Sequence, residues 1–97
     1  MIARLIIVTT PLEKADDAEA LWKKECAPLM IQQPGCLSEE FLRNTDDKSE
    51  MISVQRWESR EAIEKYRASP AHAEILKHTR QLMGVSKVEV KNYQVVG

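Results

Sequence analysis

The side chains best suited to chemistry lie in the second half of the chain, at Trp57, Tyr66 and His72. Ser69 followed by a proline is typical of a helix start, which places His72 in the first turn of that helix. Because a helix N-terminus disfavours a protonated imidazole, His72 is predicted to be a neutral ring that can accept a proton. It shares a helical stripe with Leu76, which directs both toward the interior. The alternative, a histidine that only satisfies the first helical turn, is left open by the sequence.

Three aromatic residues are candidates for the wall of a small-molecule pocket. Trp57 ends a predicted strand beside a helix start, and its indole N–H could orient a ligand oxygen. Tyr66 could donate a hydrogen bond to a developing oxyanion, although the ordinary pKa of a tyrosine makes it a poor base. Trp22 lies on the apolar stripe of the first predicted helix and faces either the pocket or the core. Ordinary core packing is the competing interpretation for all three.

The remaining reactive groups carry no motif. Cys26 and Cys36 have no cysteine or histidine partner at metal-ligand spacing, so we expect two ordinary thiols and no metal site, with a redox role for Cys36 as the alternative. Glu39 and Glu40 are predicted to lie on a strand surface. His78 is predicted to lie on a solvated helix face.

Apolar periodicity and turn residues divide the chain into strands and helices. Alternating or continuous apolar runs predict four strands, at residues 1–10, 36–43, 51–57 and 85–96. A stripe at three-and-four spacing predicts a helix at residues 13–30, which we expect to kink or end at Pro28. Ser59 and Ser69 are typical helix caps, and they predict a short helix through Tyr66 and a second one that runs to Met83.

This order of elements predicts one domain over residues 1–97 with a ferredoxin-like βαββαβ fold of the α+β class. Its four-stranded antiparallel sheet would have helices on one face. The other face needs a cover, since Leu42, Met51, Gln55, Tyr93 and Val95 are predicted to make it too apolar for water. We therefore expect a homodimer that packs through the open sheet face.

Composition limits the classes of partner. The 14 basic and 15 acidic residues are spread along the chain and give a formal net charge of -1, so no surface for nucleic acid is predicted. The apolar run at residues 5–8 is too short for a signal segment or a membrane span. We expect a soluble cytoplasmic protein whose partner is a small molecule.

Several segments together resemble the antibiotic biosynthesis monooxygenase family of dimeric α+β barrel proteins. The resemblance is carried by Pro34-Gly35-Cys36-Leu37, by Trp57-Glu58-Ser59-Arg60-Glu61-Ala62, and by Tyr66, Ser69 and His72. It extends over nearly the whole chain and implies a pocket between the helices and the sheet of each subunit.

The resemblance also implies what the pocket contains. Haem-degrading members use an axial histidine, and the position implied for it holds Leu76, while an asparagine of the quinone-forming oxygenases is replaced by Ser53. We therefore expect no haem, flavin or metal. The expected function is a cofactor-independent monooxygenase for a small phenolic, quinol or related carbonyl compound, with His72 as the base. A non-catalytic dimer that binds or senses a small apolar molecule is the alternative.

Overall fold

Four antiparallel strands form the centre of this computed structural model, which describes residues 1–82 and 84–97. The strands are β1 (Ile2–Thr9), β2 (Cys36–Arg43), β3 (Glu50–Trp57) and β4 (Lys87–Gln94). Their order in the sheet is β2-β3-β1-β4. This topology, with its helices between the strands, confirms the predicted ferredoxin-like α+β fold.

The first helical segment is continuous but irregular. It comprises a 3-10 turn (Leu12–Lys14), α1 (Ala15–Leu21), a π-helical stretch (Trp22–Cys26) and α2 (Ala27–Ile31). The expected end or kink at Pro28 takes the form of the π stretch just before it, where the N–H of Ala27 bonds to the carbonyl of Trp22. The wider turn accommodates a proline that has no N–H of its own, so the helix continues to Ile31.

Both predicted serine caps are present and define the next two helices, α3 (Arg60–Arg67) and α4 (Pro70–Lys77). The hydroxyl oxygen of Ser59 accepts from the N–H of Ala62, and that of Ser69 accepts from the N–H of His72. A π-helical stretch, His78–Leu82, follows α4. The predicted helix end at Met83 lies outside the described residues.

A close contact at Gly35 connects the first helical segment to α3. This residue has a φ of +85°, and a Cβ atom here would lie only 2.5 Å from the Cβ of Ala62. Its carbonyl accepts from the N–H of Glu58 at 2.9 Å. Only glycine fits this backbone and this contact, so the start of β2 is held against the junction of β3 and α3.

The register of β1 and β3 decides which side chains face the helices. Ile2 pairs with Trp57, and Arg4 pairs with Gln55, so these side chains share the helix-covered face. Met51 and Gln55 were expected on the open face, and this expectation is wrong, because both are 0% exposed on the covered face. Because side chains alternate along β3, every second residue before Trp57 lies on the same covered face as Trp57.

The open face is nonetheless partly apolar. Leu42 is 44% exposed and Tyr93 is 51% exposed, while the intervening Ile52 and Val54 of β3 are half-buried.

None of the described helices is both long and apolar enough to cross a lipid bilayer.

Candidate functional site

A cavity of about 450 Å³ lies between the helices and the covered face of the sheet. Five of the residues proposed from the sequence line it: Trp22, Ser53, Tyr66, His72 and Leu76. Most of the remaining lining is aliphatic or aromatic and comes from β1, β4 and α4. A largely apolar cavity with a few polar groups is the usual form of a small-molecule site.

Trp57 is the proposed residue that does not line this cavity. Its side chain is 0% exposed, and its indole N–H already donates to Oε1 of Gln55 at 2.9 Å. The expected hydrogen bond from Trp57 to a ligand oxygen is therefore not available in this arrangement. Instead, Trp57 lies behind Tyr66, with their ring centroids 5.2 Å apart.

His72 meets Tyr66 at the wall of the cavity. The two rings are T-shaped, with centroids 5.0 Å apart and an interplanar angle of 78°. Burial lowers the pKa of His72 from its ordinary value, and the positive charges of Arg4 and Arg67 lower it further, while the backbone of Arg67 acts in the opposite direction. The imidazole is therefore neutral near neutral pH and can accept a proton.

Tyr66 has the opposite character, since it is a donor and not a base. It is 3% exposed, and burial raises its pKa well above the usual value although the nearby Arg4 opposes the shift. The guanidinium carbon of Arg4 lies 6.0 Å from the centre of the ring, at the outer limit of a cation–π contact. The phenol hydroxyl therefore stays protonated at neutral pH.

A chain of hydrogen bonds, which we call the polar row, runs along the covered face. The indole of Trp57 donates to Gln55, and Nε2 of Gln55 donates to Oγ of Ser53 at 3.0 Å. Ser53 in turn donates to Oε1 of Glu39 at 3.0 Å, and so does the indole of Trp22 at 3.0 Å. The polar row thus fixes the orientation of Ser53 and Trp22, two groups of the cavity wall.

Glu39 was expected on a strand surface, and this expectation is wrong. It faces the polar row because the register of β2 shifts between Cys36 and Ser38 and resumes with Glu39 opposite Gln55. Burial raises the pKa of Glu39, whereas its hydrogen bonds from Ser53 and Trp22 act to lower it. Its spacing of two residues from the inward-facing Phe41 was the signal that could have revealed it.

Arg4 is the second functional candidate that the sequence analysis missed. It is 5% exposed and lines the cavity from the middle of β1. Its Nη1 donates to Oε1 of Gln55 at 3.4 Å. An arginine in an otherwise apolar strand, at the same alternation as Ile2 and Ile6, was the available signal.

The other titratable groups offer little reactivity. Burial raises the pKa of Cys26 to about 12 and also raises that of Cys36, so both are inert thiols. His78 is not the solvated histidine that was expected, since its side chain is 17% exposed and its Nε2 lies 3.3 Å from Glu74. Among the described residues, no group of three histidine, cysteine or acidic side chains is arranged to hold a metal ion.

Comparison with known proteins places this site in a family. Residues 1–78 match the sequence profile of the antibiotic biosynthesis monooxygenases. No protein of curated function matches the sequence.

Solved structures show the same fold over the full length of the chain. A Deinococcus radiodurans protein named for this family superposes with a TM-score of 0.86 at 15% identity, over 100% of this chain and 94% of the other. A haem-degrading protein from Mycobacterium tuberculosis, with two haems in its active site, gives 0.82 at 22% identity over 99% and 96%. A cofactor-independent oxygenase from Streptomyces nogalater gives 0.72 at 19% identity over 97% and 91%. At these identities the likeness establishes the fold and leaves the chemistry to the residues.

The polar row predicts a specific energetic coupling between Gln55 and Trp57. Replacing Gln55 by Leu leaves the buried indole N–H and the Arg4 guanidinium without their acceptor, so we expect a loss of about 3 kcal/mol in the free energy of unfolding. Adding Trp57→Phe removes the orphaned N–H and should therefore cost less in the Gln55→Leu protein than in the unaltered one. Urea denaturation of the two single variants and the double variant measures both effects.

The same substitution at an exposed glutamine provides the control. Gln94→Leu on β4 should change the stability by no more than about 0.5 kcal/mol. Strictly additive effects of Gln55→Leu and Trp57→Phe would contradict the coupling.

Proposed function

Because the chain belongs to the antibiotic biosynthesis monooxygenase family, we propose that it is a monooxygenase that acts without a resident cofactor on a small phenolic or quinol compound. The observation that carries this proposal is His72, a histidine with a lowered pKa that lines a largely apolar cavity beside a protonated tyrosine. We also infer that residues 1–97 act as one domain of this family, since the structural neighbours cover nearly the whole chain.

The reaction begins with proton transfer from the phenol hydroxyl to the imidazole of His72. The resulting phenolate is electron-rich enough to pass one electron to dioxygen, and the superoxide so formed combines with the ring radical to make a carbon–oxygen bond. The imidazolium returns its proton to the peroxide, and loss of water with the ring C–H proton leaves a quinone. One phenol and one dioxygen thus become one quinone and one water, with dioxygen as the only oxidant.

Different residues of the cavity wall support different steps of this reaction. The neutral imidazole supplies the base, and the protonated hydroxyl of Tyr66 supplies a donor for developing negative charge. Trp22 stacks on Phe41 with ring centroids 5.1 Å apart, which gives a flat apolar surface for an aromatic ring. Leu76 and Ile75 cover the cavity from α4 and help to exclude water.

Haem fits this cavity poorly. In the described part of the lining, His72 is the only histidine, cysteine or carboxylate side chain that could ligate the iron. Its ring already forms a T-shaped contact with Tyr66. Leu76 supplies only alkyl surface. No step of the proposed reaction therefore passes through haem.

Replacing His72 should abolish oxygenation while leaving binding largely intact. We expect His72→Gln to reduce kcat/KM for aerobic oxidation of a panel of naphthols and quinols by roughly 100-fold or more, because the base is lost. Oxygen uptake measures the rate, and quenching by the same compounds of the tryptophan fluorescence, to which the cavity-lining Trp22 contributes, measures binding. His78→Gln, which changes a histidine outside the lining, is the matched control and should keep full activity.

The pH dependence of kcat/KM identifies the residue that acts as the base. Since the pKa of His72 is lowered, the basic form persists to lower pH, and kcat/KM should fall only below the ordinary histidine value of about 6.5. Unchanged turnover in His72→Gln would remove the catalytic assignment. Binding of the panel without any turnover by the unaltered protein would favour the non-catalytic binding protein instead.

We further propose that two copies of the chain pack through the open sheet face. Leu42 and Tyr93 expose apolar surface there, and burying it would stabilise a pair of subunits. Sedimentation equilibrium should give twice the chain mass of 11.1 kDa. The double variant Leu42→Glu/Tyr93→Glu should sediment as a monomer, whereas Leu12→Glu, on a residue that is 64% exposed outside the sheet, should not. A monomeric unaltered protein would contradict the dimer.

A further inference from the structure

Arg4 is a buried positive charge with no negative partner. It is 5% exposed, yet among the described residues it forms no salt bridge, and its one hydrogen bond is the 3.4 Å contact with the neutral amide of Gln55. Buried arginines are normally paired, because the loss of hydration is costly unless an anion replaces the water. A guanidinium retains its charge at any physiological pH. The described part of the fold therefore supplies no anion to pair with the Arg4 guanidinium.

The surroundings of Arg4 strengthen this imbalance. The lining of the 450 Å³ cavity also includes Arg67, Arg80 and Lys87, and in the described part of the chain it contains no aspartate or glutamate. None of these three cations takes part in a salt bridge between described residues. The charged side chains in the described lining are therefore all basic, which favours a negatively charged occupant.

A second, smaller cavity of about 270 Å³ adjoins the first at Arg4. Arg4, Arg67 and Val90 line both cavities, and Arg60 lines the second one. The only acidic side chain in the described lining of the second cavity is Glu64, and its effect on the pKa of Arg4 is smaller than that of burial, Tyr66 or Arg67. The two shared arginines thus line both the apolar cavity and the smaller, more polar one.

We propose that the ligand of this site is an aromatic hydroxy acid, whose ring occupies the apolar cavity and whose carboxylate binds between Arg4 and Arg67. Two guanidinium groups at one junction match a carboxylate, since each offers a planar fork of N–H donors. The inference narrows the proposed substrate class from phenols in general to phenols that carry an acid group. The hydroxyl group of this ligand rests on the proposed function, whereas the acid group is inferred from the two arginines alone.

The same two arginines connect the acid subsite to the proposed base. Arg4, Arg67 and His72 line the same cavity, and the charges of the two arginines lower the pKa of the imidazole. A carboxylate bound between them would therefore hold the rest of the ligand beside His72. Positioning by a remote charged group is an effective way to orient a reacting centre.

The test compares a hydroxynaphthoate with its primary carboxamide, which has nearly the same shape and no charge. Isothermal titration under nitrogen measures binding to the full chain without any turnover. We expect the acid to bind at least about tenfold more tightly than the amide, as for a charge-assisted pair. The preference should shrink to less than about threefold in Arg67→Ala and in Arg4→Met, and Arg4→Lys should restore part of it.

One control variant keeps the result specific, and a second test variant guards against misfolding. Lys65→Ala removes one positive charge from the same helix as Arg67 but from a residue outside both cavities, and it should leave the preference unchanged. If Arg4→Met does not fold, Arg67→Ala carries the test alone, because that side chain is exposed and the substitution should be tolerated.

The possible outcomes separate this inference from the proposed function. Equal affinities for acid and amide, or a preference that survives in Arg67→Ala, would overturn the acid subsite. A loss of preference in Lys65→Ala as large as that in Arg67→Ala would also overturn it, because the effect would then reflect net charge. An acid preference that follows Arg4 and Arg67 would support the subsite even if the protein turned over no phenol in air.

Discussion

The amide of Gln55 is the constraint on which the covered face of the sheet depends. It is 0% exposed, and its oxygen accepts from both the Trp57 indole and the Arg4 guanidinium while its nitrogen donates to Ser53. A buried amide without these partners would be strongly destabilising, so the three neighbours cannot change rotamer independently. One side chain of β3 therefore sets the positions of a cavity cation, a cavity hydroxyl and the aromatic support of Tyr66.

The electrostatics of the cavity follow from this arrangement. Burial and nearby arginines keep His72 neutral, while burial keeps Tyr66 protonated, so a base and a donor face the same space. The unpaired Arg4 favours a ligand that brings its own negative charge. A neutral base and a protonated donor in one cavity suit a substrate that is activated by losing a proton.

Local signals were sufficient to predict much of the fold. The caps at Ser59 and Ser69 depend only on the residues beside them, and the bounds of β2 follow from its flanking turn residues. Those caps also placed His72 correctly in the first turn of α4. The π-helical stretch that precedes Pro28 was not foreseen, because a π-helical turn leaves no clear pattern in a single sequence.

Features that depend on contacts between distant residues were not predictable in this way. Gln55 was wrongly assigned to the open face, since its burial is made stable by bonds to Arg4 on the adjacent strand and to Ser53 and Trp57 on its own strand. The spacing of Glu39 from Phe41 indicates its face, but the partners that make its burial stable, Ser53 and Trp22, are distant in the sequence. The candidate base could thus be identified from the sequence, whereas the charges and hydrogen bonds that tune it could not.

The central claim is that His72 removes a proton from a phenol bound in the cavity. The most direct test is chemical rescue of His72→Gly by free imidazole during the aerobic oxidation of a naphthol. We expect neutral imidazole to restore part of the lost rate in proportion to its concentration and to leave the rate of the unaltered protein unchanged. No rescue of His72→Gly, or equal acceleration of both proteins, would contradict the assignment of His72 as the base.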